Sequence, residues 1–487
     1  MDGGERNKGS AIPAGKWPLL RYGLELVPAA MLLALLARRV WDVDIFWQLK
    51  LGELILARHG PVRAEPFAAL HLGEPLTTIS WLGQAVMAQV RLTGGWGLLR
   101  LFDALCWLGG LWAPAAACSA RGARPGAVLL ALVLSFFAVF HIASIRPQSF
   151  AVLCFGLLLA LRRLDPGLLW TVVLGAPLLV LWQNLHPSVS VGVIAMGASA
   201  VPGWLDRLRG RRTVLPWSPT VLALLGCAAI FATPDGASVL DISMRNAEAS
   251  LAIRASEWLP LWIPANRLAA IPIVIVALSA LFMVLRHRKR TDREELAAAL
   301  VLFVLTVMAY RFALFWAAAM VPVIARAALP RQGVAERGKL LRWAVAGPLI
   351  FVAVLGPVLL PTRFVPGIPL DAIARLRQEH LRGTIYGDFP FGGAIIDGGY
   401  PAWRVAYDGR YYRYSRHEWQ YNGGIENGIV PLVDVIRKWH PAAFILNAHH
   451  NAPLAQALAR SPKWERIYAH EGIVVYVPRG ASLRPRA

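Results

Sequence analysis

Trp41-Asp42-Val43-Asp44-Ile45-Phe46-Trp47-Gln48-Leu49-Lys50 follows directly on the first long apolar run of the chain and places two carboxylates at its border. In an extended segment residues i and i+2 point to the same side. Asp42 and Asp44 would then converge on one metal ion or one proton. In a helix they would diverge, because i and i+2 do not share a face. From Ile45 to His59 the pattern is that of an amphipathic helix, with Phe46, Leu49 and Ile55 on one side and Gly60-Pro61 as its stop. Asp44 therefore has two readings, as the N-cap of this helix or as a functional carboxylate.

What surrounds this stretch is membrane material. The chain has 487 residues, of which 56% are hydrophobic and 16% charged, and its mean hydropathy is +0.49. That composition predicts a polytopic α-helical membrane protein. The formal net charge of +21 sits mostly in short runs between apolar segments, the pattern of cytoplasmic loops, so nucleic acid is not expected as a partner. Cys106, Cys118, Cys154 and Cys227 all lie inside apolar runs, with neither a disulfide framework nor metal-ligand spacing.

The first apolar run, about 22–37, follows a basic leader (Arg6, Lys8, Lys16, Arg21) and reads as an uncleaved span. A long loop, 40–95, comes next. Its second half, 80–92, reads as another surface helix ended by Gly94-Gly95. Further spans are expected at about 96–119, 126–141, 149–161, 167–183, 188–204, 217–233, 268–285, 295–309, 312–328 and 343–360, roughly 11 in all. With the N-terminus cytoplasmic, the inside connections carry Arg121/Arg124, Arg162/Arg163, Arg207/Arg209/Arg211/Arg212, Arg286 to Arg293 and Arg331 to Arg342. The positive-inside rule is then satisfied, and residues 362–487 lie outside. This tail is expected to be a small α/β domain. Strands are read at 384–386, 404–407, 442–446, 466–468 and 473–477, helices at 431–439 and 452–460, and a closing hairpin at His470-Glu471-Gly472.

The topology puts polar residues at apolar borders repeatedly on one face: Asp42 and Asp44, Lys50, Arg146-Pro147-Gln148, Asn184-Leu185-His186, Asp235, Arg254, Glu257-Trp258 and Arg311. Ionisable groups at membrane depth are costly and usually face a polar cavity. Each also has a structural reading, as a snorkelling arginine, an interfacial anchor or a turn residue. Chemically the set suits a lipid-phosphate donor. Arg146, His186 and Arg311 would stabilise phosphate oxygens, and a carboxylate would take a proton or hold a divalent ion.

These residues carry a resemblance. Asp42-Val-Asp44-Ile-Phe-Trp47-Gln-Leu-Lys50-Leu-Gly52, Arg146-Pro-Gln148, Asn184-Leu-His186, Glu257-Trp258-Leu-Pro260, Arg311 and Asp408-Gly409-Arg410 resemble the GT-C superfamily of polytopic glycosyltransferases, near an uncharacterised bacterial subgroup. Ser80 stands where the resemblance expects an acid, and Pro187-Ser188 where it expects two glycines. The resemblance implies a membrane domain (1–361) and an extracytoplasmic α/β domain (362–487) in a bacterial inner membrane. It implies transfer of a sugar from a polyprenyl-phosphate donor to a glycan or protein acceptor, with Asp42 or Asp44 as base or as ligand to Mg or Mn. Arg146, His186 and Arg311 would contact the donor phosphate. Lys50, Gln148, Asn184, Arg254, Glu257, Asp408 and Arg410 are further pocket candidates.

Tyr407 to Tyr414, with His417, Trp419 and Tyr421, has two readings, as a sugar-binding lid or as the packed core of the tail. The rival from another class is a non-catalytic lipid- or glycan-binding scaffold or a transport-assembly subunit. A binding-only protein is expected to turn Asp42 and Asp44 away from any cavity.

Overall fold

The computed structural model describes residues 18–211, 214–327 and 338–480. The basic leader and residues 331–337 of the last basic connection lie outside them. The apolar runs form α1 (Pro18–Ala37), the second half of α3 (Trp81–Ala120), α4 (Pro125–Val139), α5 (Gln148–Leu164), α6 (Leu168–Leu185), α7 (Val189–Leu208) and α8 (Trp217–Ala229). After α9 (Ser238–Ala252) the series continues with α10 (Arg267–Arg286), α11 (Arg293–Met308), α12 (Ala313–Ala327) and α13 (Gly338–Leu359). Among the described residues, four helical segments are long and apolar enough to cross a bilayer, within α3, α6 and α7 and at Pro264–Arg286. The first half of α3 is the expected surface helix, and the chain breaks helical geometry at Gly94 and Gly95 before it enters the bundle. Helices α3 and α5 cross in close contact. A Cβ on Gly110 would lie 2.4 Å from the Val152 carbonyl oxygen, and one on Gly156 would lie 1.9 Å from that of Gly110. Small residues let helix backbones approach in this way where lipid supplies no hydrophobic drive.

The helix α2 (Asp44–Arg58) buries Ile45, Phe46, Trp47, Leu49 and Ile55. It ends where His59 turns left-handed at φ 53°, and the Gly60 N–H returns to the Ile55 carbonyl at 3.1 Å.

The tail carries α14 (Leu370–Arg377), α15 (Gly392–Gly399), α16 (Arg416–Glu426), α17 (Leu432–Trp439) and α18 (Ala452–Arg460). Its sheet is built from β1 (Gly383–Gly387), β2 (Trp403–Val405), β3 (Ala443–Asn447), β4 (Trp464–His470) and β5 (Ile473–Pro478) in the order β2-β1-β3-β5-β4. The first three strands are parallel, and β5 runs antiparallel to both neighbours. The β4–β5 hairpin turns at Glu471 and Gly472, both at positive φ. Helices α14, α15 and α16 were not expected from the sequence; the first two are short, and Gly392-Gly393 opens α15.

The tail is fastened to the loop after α1. The Val40 N–H bonds to the Arg363 carbonyl, and the Val405 N–H to the Phe67 carbonyl, so the loop extends the sheet at its β2 edge. Arg91 of α3 makes two 2.8 Å bonds to Asp397 of α15 and a third to Glu53 of α2.

Candidate active site

Helix α2 begins at Asp44, and its cap position is Val43, whose side chain makes no capping bond. The cap role falls to Asp42, whose Oδ1 accepts the Asp44 N–H at 3.0 Å. Asp44 is left free of it. Its Oδ1 accepts the Trp47 indole N–H at 3.1 Å, and its carboxylate stands in the wall of a cavity of about 310 Å³. The two acids meet at one guanidinium. Arg146 Nε lies 3.2 Å from Asp42 Oδ2, and Nη1 lies 3.9 Å from Asp44 Oδ2. Arg146 also donates to Glu257 at 2.8 Å and to Gln148 at 2.9 Å. Nε and Nη2 are thereby committed, while Nη1 holds only the 3.9 Å ion pair with Asp44.

Asp42 and Asp44 converge on a cation supplied by the protein, although Val43 between them is helical in backbone (φ −77°, ψ −18°) and not extended as the expectation required. Among the described residues, no three His, Cys, Asp or Glu side chains gather as a metal-ligand set. The guanidinium of Arg146 already stands between the two carboxylates and meets the charge that a divalent ion would take there, and no step is derived through one.

The charges sort the titrations. Burial, and then the neighbouring Asp42, push the Asp44 carboxyl up to about 7, against the opposing pull of Arg146 and the Trp47 bond. Burial also acts to raise Glu257, but Arg146 and Arg311 outweigh it and hold this carboxyl down at about 2. His186 is brought down to about 3 by burial and then by Arg311 and Arg146, so its imidazole is neutral at pH 7. Its Nδ1 lies 2.8 Å from Ser188 Oγ, which accepts the Trp182 indole N–H at 2.9 Å. If Ser188 gives its own proton to Nδ1, Nε2 of His186 is the protonated nitrogen. Arg311 lies over the Trp258 ring at 3.9 Å and 3.7 Å from Glu257. Its Nη1 is buried without a hydrogen-bond partner.

Replacing Arg146 by Gln is expected to move Asp44 above 7, because the guanidinium that opposes burial is gone, and Glu257 above 2. A pH titration of the carboxyl ¹³C signals, compared with wild type, measures both.

The tail closes the cavity. Tyr411 and Tyr412 line it beside Gly409, and a Cβ on Gly409 would lie 2.1 Å from Asp44 Oδ1, so only glycine admits this approach. Asp408 and Arg410, which flank it, point the other way into a fully buried network with Glu65. Arg410 donates to Glu65 at 2.7 and 2.9 Å and to Asp408 at 2.9 and 2.6 Å. Glu65 also accepts the N–H groups of Phe67 and Ala68.

The structure thus brings Asp44, Arg146, Gln148, His186, Glu257 and Arg311 to one cavity. Asp42 stands behind Asp44. Asp408 and Arg410 are buried beneath Gly409 and outside the wall, because their charges are met by each other and by Glu65. Lys50 is turned to Glu53, and Asn184 is spent on Trp81 and the carbonyls of Val180 and Ala232. Arg254 is exposed, at φ 57°, away from the lining. Glu65 and Ser188 are the participants to which sequence reasoning gave no role, whereas Tyr411 and Tyr412 belong to the aromatic run read as a lid or as packed core. Ser80 stands in the cavity wall.

No protein-family model and no curated protein sequence matches the chain. Among solved structures, the chain is similar to ArnT from Cupriavidus metallidurans bound to undecaprenyl phosphate. The TM-score is 0.56 at 13% identity, covering 97% of this chain and 100% of that one. It also matches the apo oligosaccharyltransferase of Archaeoglobus fulgidus, with a TM-score of 0.48 and 12% identity over 94% of this chain and 74% of that one. By its likeness over nearly its full length, the chain shares the fold of ArnT.

Proposed function

We propose that this protein is a membrane glycosyltransferase that moves a sugar from a polyprenyl-phosphate carrier to an acceptor outside the cytoplasm of a bacterial cell. The reading rests on one juxtaposition. A carboxyl poised near pH 7, Asp44, shares a cavity with the Arg311 guanidinium, whose Nη1 stands 3.7 Å from Glu257 and makes no hydrogen bond. The fold agrees, since ArnT, of the same architecture, binds undecaprenyl phosphate.

In this mechanism the acceptor oxygen attacks the anomeric carbon as Asp44 takes its proton. The bond from that carbon to the phosphate oxygen breaks, and the carrier phosphate leaves with the electron pair. Arg311 Nη1 and the His186 Nε2–H meet the charge that develops there. Arg146 organises the site, since it donates to Glu257 and Gln148 and stands as the counter-charge between Asp42 and Asp44. Basic residues crowd the opposite connections of the bundle, which supports a cytoplasmic N-terminus and an outer tail. The position of Asp44 in the cavity wall argues against a scaffold that only binds.

Purified protein in vesicles carrying a radiolabelled polyprenyl-phosphate sugar is expected to transfer label to an envelope glycan fraction. The Asp42→Asn/Asp44→Asn double variant is expected to insert and melt normally yet transfer none. Full transfer by that variant would remove the proposal.

A further inference from the structure

A second cavity, of about 900 Å³, opens between α9 and α16. Tyr412 lines both this cleft and the Asp44 cavity, so the two adjoin at its side chain. Helix α9 divides them as well. Its Ser243, Asn246 and Ser250 face the smaller cavity, while Arg245, Glu248 and Ala249 face the larger. A helix carries such separate stripes because i, i+3 and i+7 share a face.

The chemistry of the cleft is specific. Phe389, Tyr412 and Trp419 supply aromatic surface, and Trp419 is held by rings on several sides: Phe389 at 5.7 Å, Tyr411 at 5.7 Å and Tyr414 at 5.4 Å. Phe389 and Trp419 pack on the tail core and stay partly exposed to the cleft. Tyr407 and Tyr414 are buried in the tail core.

The formal charges of the lining cancel, three arginines against three glutamates. Several of them are already satisfied. Arg413 is bound by Glu74 and the Pro75 carbonyl, and Glu418 by Ser415 and His71. Among the described residues, Glu248, Arg416 and Gln420 have no hydrogen-bond or ion-pair partner. Asn422 donates to Glu426 at 2.8 Å, and both line the cleft together with Trp419.

A phosphate group would seek net positive charge, which this cleft lacks. An extended peptide would seek a strand edge, and the walls here are helices and turns. Aromatic faces rimmed by amide, carboxylate and guanidinium groups suit the alternating C–H and hydroxyl faces of a sugar.

We propose that this cleft binds the acceptor, and that the acceptor is a carbohydrate chain whose reactive hydroxyl passes Tyr412 to reach Asp44. The assignment of the bound glycan as acceptor rests on the glycosyltransferase reading; the binding itself does not.

The test is saturation-transfer NMR on the full chain in nanodiscs. The probes are free tri- and tetrasaccharides of glucose, galactose, mannose, arabinose and N-acetylglucosamine, with a nonapeptide as comparator. At least one sugar is expected to receive saturation from the wild type and from the Asp42→Asn/Asp44→Asn variant alike. Trp419→Ala is expected to weaken that binding by about tenfold or more. Should Trp419→Ala fail to fold, the rim variant Arg416→Ala/Gln420→Ala is expected to weaken it in the same direction. Saturation of the peptide alone, of no probe, or of a sugar undiminished by these variants overturns the inference. Binding lost at Trp419 in a protein that shows no transfer from the lipid donor would instead sink the glycosyltransferase reading and leave the glycan site standing.

Discussion

Asp44→Asn is expected to lower transfer by about 10²- to 10⁴-fold, the usual contribution of a positioned acid or base, while Asp42→Asn retains part of the activity. The two acids were equivalent as a sequence motif; the fold separates them. Asp44 faces the cavity, whereas Asp42 is 5% exposed and spends Oδ1 on the helix start. An asparagine at 42 still offers an oxygen to the Asp44 N–H, so α2 keeps its beginning. What it removes is a negative charge that raises Asp44. The acidic limb of the rate profile is therefore expected to move below pH 7 in Asp42→Asn, since a lower pKa leaves Asp44 ionised at lower pH. Measurement of kcat/KM against pH for both single variants checks this. Loss of activity in Asp42→Asn with activity preserved in Asp44→Asn would reverse the assignment.

Arg410→Met is expected to cost about 3–5 kcal/mol of stability, because it strands Glu65 and Asp408 as uncompensated buried carboxylates. All three side chains are fully buried. Arg410→Lys is expected to recover little, since a point charge cannot reproduce two bidentate forks. The pH dependence has a definite sign. Burial acts to raise Glu65, but Arg410 outweighs it and lowers the folded-state pKa below 4.5. Its contribution to stability is therefore full above 4.5 and is lost as pH falls through the lowered value. In Arg410→Met the depression goes, and with it that acid-side loss. Thermal unfolding between pH 3 and 7, with limited proteolysis of the tail, reads both effects. Transfer is expected to fall as well, because the same network holds Gly409 against Asp44.

Local pattern carried far in this chain. The apolar runs, the two loop helices and the break at Gly94-Gly95 were all legible, since each depends on periodicity or backbone freedom within a few residues. So were the five strands of the tail and its closing hairpin. Even part of the site was legible. The alternation of spans sends Asp44, Arg146, His186, Glu257 and Arg311 to the same end of the bundle, and they do share one cavity. The departures from expectation are of another kind. Asp408 and Arg410 had the look of pocket residues, yet Glu65, which absorbs them, stands 345 residues earlier than Arg410. Nothing near Glu65 marks it, because its partner arrives only when the tail docks on the first loop.

The sequence by itself determined that Trp41–Lys50 leaves an apolar span, starts an amphipathic helix and carries two acids at its head. Hydrophobic burial and helix periodicity are enough for that, since both are written in neighbouring residues. Only the tertiary structure decided what each acid does. Asp42 caps the helix and Asp44 is raised toward neutrality, because burial and the neighbouring Asp42 outweigh the opposing charge of Arg146 at that one point. Electrostatics and close packing depend on distance in space, and distance along the chain does not determine it.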